Sequence, residues 1–182
     1  MVAPVRFQRI NVVGTSGSGK TTFARRLAAT LDLPYYEMDQ LFWKSGWREP
    51  TDEEFLPRIE EIARQPRWVL DGNYSTRTLA IKWKHAQQVI WLDSPLLRTV
   101  YRVTARTIRR SFTREELWPG SGNRESLLQA FFSPKSVIWL AMRHHPRNRA
   151  RFPKLMASPD YAHISFVRLR SDAEAQRFLD TV

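Results

Sequence analysis

The sequence predicts an α/β fold, a three-layer α/β/α arrangement in which a five-stranded parallel sheet lies between two layers of helices. Five short apolar segments alternate with segments of helical periodicity along the 182 residues, of which 42% are hydrophobic. Strands that alternate with helices in this way pair in parallel through helical crossovers. A glycine-rich turn also connects the first predicted strand to the first predicted helix. We therefore expect a single domain over residues 1–182.

Four of the five predicted strands lie in the first half of the chain. Each is a short run of apolar and β-branched residues that is followed by a glycine or an aspartate. The fifth, residues 164–169, alternates apolar and polar side chains near the end of the chain. The first four predicted strands cover residues 7–13, 35–38, 68–70 and 89–92.

The helices are predicted from apolar spacing and from the residues that begin them. Residues 21–31 carry apolar side chains at steps of four. Thr51 and Glu54 form a capping box that opens a helix ending near residue 64. Pro95 suits the first turn of a helix that continues to about residue 112. The remaining helices are predicted over residues 133–142, over 147–156 and after Ser171.

The formal net charge of +11 is concentrated in one segment. Residues 98–154 contain 13 basic and 3 acidic side chains, whereas the rest of the chain is close to neutral. Eleven of those 13 basic residues are arginines, whose planar guanidinium groups pair with two phosphate oxygens at once. The charge therefore indicates a local anion-binding device better than a uniformly basic surface.

Composition excludes several classes of protein. The chain has no cysteine, which excludes disulfides, thiolate zinc sites and cysteine nucleophiles. No apolar run approaches the roughly 20 residues that a membrane-spanning helix needs. The first ten residues also lack the apolar stretch of a signal peptide. We expect a cytoplasmic protein with no membrane partner.

Residues 14–21 read GTSGSGKT, a complete phosphate-binding loop of the form G-x-x-x-x-G-K-[ST] (Walker A). The loop follows a predicted strand and opens a predicted helix, which is the context that the motif requires. Its backbone N–H groups can converge on phosphate oxygens, where the helix N-terminus adds partial positive charge. Lys20 can reach the β- and γ-phosphates of ATP, and Thr21 can ligate Mg²⁺. The predicted nucleotide-binding residues are Gly14, Ser16, Gly17, Ser18, Gly19, Lys20, Thr21 and Thr22.

Three aspartates follow predicted strands, where ligands of open parallel sheets bind. Asp71 precedes a glycine and is predicted to face magnesium together with Thr21. Asp39 lies where an acceptor hydroxyl would approach, and is predicted to be its general base or orienting group. The alternative for both is a helix cap or a loop carboxylate. Asp93 precedes a Ser-Pro pair and is interpreted as a turn or cap residue.

Five arginines recur at steps of three or four residues and would share one face of a helix. No acidic residue lies four positions away in this stretch, so we expect anions or carboxylates from elsewhere to face them. Arg102 and Arg106, with Arg114 or Arg124 of a lid over residues 110–126, are predicted to stabilise the transferred phosphoryl group. The alternative is a solvated basic stripe. The five arginines are Arg98, Arg102, Arg106, Arg109 and Arg110.

The tryptophans divide into two groups. Trp43 and Trp47 lie in the segment predicted to bind the acceptor, residues 39–50. They either stack on a base or a sugar, or anchor the long loop to the domain. Trp118 either covers the nucleotide or packs the lid. The tryptophans that lie in apolar runs, and are predicted to be in the core, are Trp68, Trp91 and Trp139.

The order of strand, phosphate loop, Asp-Gly strand end and arginine helix resembles adenylate-kinase-like P-loop small-molecule kinases. The segments MDQLFW at 38–43, DGNYS at 71–75 and NRE at 123–125 are most similar to bacterial adenylate-kinase-related proteins labelled DNA topology modulation proteins. In these kinases the arginines that match Arg102 and Arg106 contact the nucleotide and its phosphates. The AMP-binding arginine and the Phe-Pro-Arg segment of true adenylate kinases have no counterpart here apart from Arg77, a candidate for a shifted substitute, which argues against AMP as acceptor.

Motifs and resemblance together predict an ATP-binding, Mg²⁺-dependent phosphotransferase. It would move the γ-phosphate to a small acceptor, with nucleotides and nucleosides among the candidates. The alternative is a nucleic-acid-acting ATP-binding protein, either topology-related or a polynucleotide kinase, for which the basic segment argues. No nucleic-acid reader motif is found in the sequence. A nucleotide-dependent switch is a third class, but no guanine-specifying N-K-x-D segment is present.

Overall fold

The five strands form one parallel sheet with the order β2-β3-β1-β4-β5, which confirms the predicted sheet. The computed structural model describes residues 7–74, 76–113, 115–126, 133 and 136–182, without the side chains of Thr76 and Arg77. The strand that precedes the phosphate loop, β1, lies in the centre of the sheet. The strands are β1 (Arg9–Gly14), β2 (Tyr35–Glu37), β3 (Trp68–Asp71), β4 (Gln88–Leu92) and β5 (Ser165–Leu169).

Seven α-helices are seen in the described part of the chain, and short 3₁₀ turns cover Ser45–Trp47 and Pro159–Tyr161. None of these helices has the length and apolarity needed to cross a membrane. The helices are α1 (Lys20–Leu31), α2 (Met38–Phe42), α3 (Asp52–Arg64), α4 (Thr76–His85), α5 (Leu96–Thr113), α6 (Val137–Met156) and α7 (Asp172–Asp180).

Helices cover both faces of the sheet, because successive strand residues point to opposite sides. Ile10 and Val12 of β1 pack against Leu27 of α1 in one buried cluster, which also includes apolar residues of α7. Val13 belongs to a second buried cluster with apolar residues of α3, α4 and α6, including Phe152. The two clusters are the two cores of the predicted three-layer α/β/α fold.

Two of the three tryptophans predicted to be in the core are buried. Trp68 and Trp91 lie in strands and are almost completely buried. The prediction for Trp139 is wrong, since 60% of this residue is exposed on α6. Trp83 is fully buried instead, on helix α4, which the sequence did not predict because its apolar positions are interrupted by lysines.

The prediction of two helices between residues 133 and 156 is wrong. A single 20-residue helix, α6, begins after Ser136, whose side chain accepts hydrogen bonds from the second and third backbone N–H groups that follow it. The helix continues past Pro146 because it is attached to the sheet on both sides of that residue. His145 lies 2.9 Å from the carbonyl oxygen of Ser94, and Phe152 is buried. Pro134, the expected first residue, lies outside the described residues.

The parallel register brings the carboxyl ends of three strands together. Glu37, the last residue of β2, pairs with Asp71, which in turn pairs with Val12 of β1. On the other side, Gly14 pairs with Leu92 of β4. The acidic ends of β2 and β3 therefore lie beside the phosphate loop, at the edge of the sheet where ligands bind.

Candidate active site

The turn after β1 has the backbone conformation of a phosphate-binding loop. Gly19 is the N-cap of α1, with a φ angle of 91°, and offers no side-chain cap to the first N–H groups of the helix. These groups are therefore available to a ligand. Gly17 has a φ angle of 87°, and a Cβ atom there would collide with the carbonyl oxygen of Thr99 on α5. The glycines thus allow both the conformation of the loop and its close approach to α5.

Two asparagines from distant segments fix the loop. The side-chain amide of Asn73 donates to the carbonyl oxygen of Gly14 at 3.0 Å and accepts from the Gly14 N–H at 2.8 Å. Asn148 of α6 donates to the hydroxyl oxygen of Thr15 at 3.1 Å. The sequence did not single out either asparagine for this role, although Asn73 directly follows the Asp-Gly strand end.

The two residues predicted to hold magnesium lie together. The hydroxyl of Thr21 donates to Oδ2 of Asp71 at 2.6 Å. Asp71 is buried, and its Oδ1 has no hydrogen-bond partner. Burial raises the pKa of Asp71, against the opposing effect of Lys20. A cation bound here would give Oδ1 a partner and would stabilise the charged form of the buried carboxylate.

The oxygen donors of Thr21 and Asp71 fit Mg²⁺, which is usually held by one or two carboxylates, phosphate oxygens and water. Within the described residues, no group of three or more His, Cys, Asp or Glu side chains could hold a metal ion. Two protein oxygens of this kind would leave the other positions around a magnesium ion to phosphate oxygens and water.

Two cavities meet at the phosphate loop. The first, of about 630 Å³, lies between the loop, α5 and the start of α7, and is called the α7 cavity. The second, of about 840 Å³, lies between the loop, the ends of β2 and β3, α6 and three tryptophans, and is called the tryptophan cavity. Both cavities are bordered by the same four residues, Lys20, Thr21, Thr22 and Arg106.

Arg102 borders the α7 cavity and is already paired. Its guanidinium group makes two hydrogen bonds to Asp172 of α7, at 3.1 and 2.6 Å, and Arg98 adds a third at 3.2 Å. The pKa of Asp172 is lowered, chiefly by its hydrogen bonding to Arg102. A carboxylate therefore faces this helix, as one of the two expectations had it, and it comes from 70 residues further along the chain.

The other predicted lid arginines differ in position. Arg106 faces both cavities and makes no ion pair with any described residue, and the surrounding protein lowers the pKa of its guanidinium group by desolvation. Arg110 pairs with Glu125 at 3.3 Å beside the tryptophan cavity. Arg124 is exposed and borders neither cavity, so the structure does not bring it to the phosphate loop. Arg114 lies outside the described residues.

Three tryptophans form a continuous aromatic wall. Trp43 contacts Trp47 with ring centroids 5.4 Å apart, and Trp47 contacts Trp118 at 6.2 Å, both edge to face. The indole N–H of Trp118 donates to Glu37 at 3.3 Å. All three border the tryptophan cavity, so Trp118 covers this cavity and not the α7 cavity.

Asn123 connects the lid to the loop that carries this wall. Its Oδ1 accepts from the backbone N–H of Trp47 at 2.9 Å, and its Nδ2 donates to the carbonyl oxygen of Lys44 at 3.0 Å. Asn123 is buried, and Trp47 has a positive φ angle of 59°. One side chain therefore holds residues 115–126 against the loop at 43–47, a role that the sequence did not reveal.

Two carboxylates border the tryptophan cavity at the strand ends. Asp39 accepts a hydrogen bond from the hydroxyl of Tyr74 at 2.7 Å. Burial and Asp39 raise the pKa of Tyr74, so the hydroxyl keeps its proton. Glu37 accepts from Arg25 at 2.9 Å and was not predicted as a site residue. Its position as the last residue of a strand was the signal that could have identified it.

A buried lysine lies beneath this edge of the sheet. Lys82 of α4 donates to the carbonyl oxygens of Gly72 and Asn73, at 2.8 and 2.9 Å, and its Nζ is 3.1 Å from the sulfur of Met38. Burial lowers its pKa to about 7. Lys82 therefore holds the turn that follows Asp71, and no feature of the sequence indicated this position.

Asp93 does not belong to the site. It is buried and accepts hydrogen bonds from Arg149 of α6, at 2.7 Å, and from Arg168 of β5, at 3.0 Å. It is the centre of an ion-pair cluster and not a turn or cap residue. Part of the arginine excess beyond residue 143 therefore attaches α6 to the sheet.

A parallel sheet of this order, with a phosphate loop after its central strand, is the fold of the P-loop kinases. A family model described as AAA domain matches residues 10–102, just over half of the chain. The chain belongs to this AAA domain family. The match includes the phosphate loop, β2, β3, β4 and the first part of α5.

Two shikimate kinases of known structure have a similar fold. The enzyme from Acinetobacter baumannii, solved in complex with shikimate, superimposes with a TM-score of 0.57 at 14% identity, over 96% of this chain and 89% of that one. The enzyme from Bacteroides thetaiotaomicron superimposes with a TM-score of 0.56 at 16% identity, over 97% and 98%. Identities this low show a shared fold. No curated protein matches the sequence.

Proposed function

We propose that this protein is an ATP- and Mg²⁺-dependent phosphotransferase that moves the γ-phosphate to a small acceptor. The observation that carries the proposal is the pair of cavities that share Lys20, Thr21, Thr22 and Arg106. Phosphoryl transfer needs the transferred group between donor and acceptor, and depends almost entirely on positioning and charge stabilisation. A loop with one cavity on each side supplies that arrangement.

The donor nucleotide is assigned to the α7 cavity. The N–H groups after Gly19 bind the phosphates, and Lys20 reaches the β- and γ-phosphates. Arg102 lies on the wall of this cavity and exchanges its contact with Asp172 for one with the nucleotide. Arg106, which is unpaired among the described residues and faces both cavities, stabilises the charge of the transferred group.

Magnesium is assigned to Thr21 and Asp71. When bound there it neutralises charge on the donor phosphates. Asp71 supplies the carboxylate for this role, with one oxygen held by Thr21 and the other buried without a partner. Lys20 stands close enough to Asp71 to influence its pKa. The donor side of the site is therefore organised around two adjacent loop residues and one strand end.

The acceptor is assigned to the tryptophan cavity, with Asp39 as the group that orients its hydroxyl and takes its proton. Tyr74 holds one oxygen of Asp39 and leaves the other for the acceptor. The likeness of fold to shikimate kinases supports a small acceptor. An adenylate-kinase-like preference for a nucleotide, and the nucleic-acid alternative, gain less support, because several arginines of the basic segment are paired with Asp93, Glu125 or Asp172.

The proposal is tested by calorimetry of ATP binding and by ADP release in the presence of nucleosides, nucleotides, sugars and small acids. We expect acceptor-dependent ADP release that requires Mg²⁺ and is lost in Lys20→Ala, with a fall of at least about 100-fold in kcat/KM. Lys84→Ala, which removes an exposed lysine of α4, is the matched control. Unchanged ATP affinity in Lys20→Ala, together with no stimulation by any acceptor, would refute the proposal.

A further inference from the structure

The charges of the tryptophan cavity indicate which acceptors it can take. Two of the cationic side chains on its wall are neutralised by carboxylates of the same wall. Arg25 pairs with Glu37 at 2.9 Å, and Arg110 pairs with Glu125 at 3.3 Å. Glu37 also accepts from the indole of Trp118, which fixes this pair in place. A charged group of an acceptor would have to displace one of these carboxylates to bind either arginine.

The remaining cations of the wall face the other cavity as well. Lys20 and Arg106 border both cavities, so they lie where the transferred phosphate must be. His144 of α6 also borders the tryptophan cavity, but burial and the neighbouring Arg147 and Arg143 lower its pKa, which leaves the imidazole neutral at pH 7. Within the described wall, every cation is therefore either paired with a carboxylate or placed at the transferred phosphate, and an acceptor that carries its own negative charge would have to compete for it.

Asp39 disfavours an acceptor that carries its own negative charge. Among the described residues, its carboxylate has one hydrogen-bond partner, the hydroxyl of Tyr74, which is neutral. An acceptor hydroxyl can donate to the free lone pairs of Asp39. A phosphate or carboxylate in the same place would meet both Asp39 and the γ-phosphate, whose own counter-charges are Lys20 and Arg106, and this repulsion costs binding energy at short range.

The aromatic wall adds a preference of shape. Trp43, Trp47 and Trp118 give the cavity a large apolar surface beside Asp39 and Glu37. Indole rings pack well against the faces of bases and against the C–H faces of sugar rings. Carboxylates beside them accept hydrogen bonds from ring hydroxyls. The combination suits a ring that carries hydroxyl groups.

We infer that the acceptor is an uncharged ring compound with a free hydroxyl, from the nucleosides or from the neutral sugars and cyclitols. This inference names the substrate class of the proposed phosphotransferase and rests on that proposal. In the reaction, a bond forms between the acceptor oxygen and the γ-phosphorus as the bond from phosphorus to the β,γ-bridging oxygen breaks. ADP leaves with that electron pair, and the hydroxyl proton passes to Asp39.

The inference is tested by equilibrium binding to the protein loaded with Mg²⁺ and a non-hydrolysable ATP analogue, which keeps ligands out of the α7 cavity. Three matched pairs are compared: adenosine with AMP, glucose with glucuronate, and methyl shikimate with shikimate. In the pair that binds best, we expect the neutral member to bind at least about tenfold more tightly. The identity of the pair that binds best shows whether the acceptor is a nucleoside, a sugar or a cyclitol.

Tighter binding of a charged member, equal affinities, or no binding of any neutral member below about 10 mM would overturn the inference. Phosphorylation of a charged acceptor would leave the phosphotransferase proposal intact while overturning the substrate class. Selective binding of neutral members without phosphotransfer would overturn the phosphotransferase proposal and leave the preference of the cavity for neutral rings intact. The two failures are therefore distinguishable.

Variants test whether the named residues cause the selectivity. Asp39→Asn keeps the shape of the side chain but removes its charge, so the preference for the neutral member should fall to within about threefold. Glu61→Gln, an exposed carboxylate of α3, is the matched control and should retain the full preference. Trp47→Ala should weaken binding of the neutral ring about tenfold, whereas Trp139→Ala, an exposed tryptophan, should not. Full selectivity in Asp39→Asn would contradict the charge argument.

Discussion

The two cavities of this protein are built in different ways. The phosphate-binding part of the α7 cavity comes from one run of residues, 17–22, whose backbone does most of the work. The tryptophan cavity is assembled from side chains of six separate segments, which include the ends of β2 and β3, α5 and α6. A phosphate is the same in every nucleotide, so a local backbone motif can bind it. A specific acceptor requires side chains that only the folded chain brings together.

The largest effect is expected at the proposed magnesium site, where Asp71 lies against Thr21 of the phosphate loop. Asp71→Asn should lower kcat/KM by about 10²- to 10³-fold and weaken the dependence on Mg²⁺. Stability should not fall. Because burial raises the pKa of Asp71, the folded protein holds a proton there more readily than the unfolded chain, so the ionised carboxylate lowers stability at pH 7. Mg²⁺ titration and thermal unfolding check both points, and a large loss of Tm would contradict the assignment.

Lys82 holds the turn at Gly72 and Asn73, which follows Asp71, and the effect of its buried amine on stability can be measured. Burial lowers its pKa from 10.5 to about 7, with Asp71 raising it and Arg151 lowering it further. Between these values the unfolded chain binds a proton that the folded protein does not, so the free energy of unfolding should rise with pH. Below about pH 7 the full cost of the buried charge remains, a few kcal/mol.

Lys82→Met should abolish this rise, and Lys84→Met, at an exposed position, should keep it. Urea unfolding at several pH values between 7 and 10 gives the measurement. Parallel pH profiles for the wild-type protein and Lys82→Met would show that the lysine is charged in the folded protein throughout this range.

Asn123 allows the two cavities to be tested separately, because it holds a loop that borders the tryptophan cavity and not the α7 cavity. Asn123→Ala removes two hydrogen bonds that hold the loop at 43–47. The KM for the acceptor should rise about tenfold, the equivalent of roughly one buried hydrogen bond. ATP affinity should stay within about twofold, since Asn123 borders neither cavity directly. Equal losses for acceptor and ATP would mean that the cavities are not independent.

The smallest effect is expected at the rim of the α7 cavity. Asp172→Asn frees Arg102 and removes a negative charge beside the phosphate loop. ATP should bind about two- to threefold more tightly, while stability changes by less than about 1 kcal/mol because these ion pairs are exposed. Calorimetry at low and high salt measures the change, with Asp180→Asn as a control at the far end of α7. Weaker ATP binding would mean that Asp172 positions Arg102 for the nucleotide.

Features that depend on a local run of residues were predicted from the sequence, whereas those assembled from distant segments were not. The five strands, their parallel pairing and the neighbouring Thr21 and Asp71 were predicted because each depends on a local pattern with a known periodicity or spacing. Asp39 was predicted to follow β2 directly, and it lies two residues after the end of that strand, in the first turn of α2. The structure places Lys20 and Arg106 together at the junction of the cavities.

The residues that were missed make contacts between distant parts of the chain. Asn123 contacts a loop more than 70 residues away, and Asp172 reaches back by 70 residues to Arg102. Lys82 looked like an ordinary surface lysine, because only the packing of α4 on the sheet buries it. The sequence predicted two helices with a break between residues 142 and 147. One continuous helix forms across Pro146, because contacts of His145 and Phe152 outweigh the local cost of proline.

The position of β2 in the sheet has a consequence for how the molecule opens. β1 has a hydrogen-bonded neighbour on each side, whereas β2 is a three-residue strand at the edge of the sheet. Amide protons of β1 should exchange with solvent only on global unfolding, and those of β2 by local opening at much lower cost. Glu37, at the end of β2, thus lies in the part of the sheet that opens locally at low cost in free energy. The strand end before the acceptor segment can be remodelled without disturbing the strand that carries the phosphate loop.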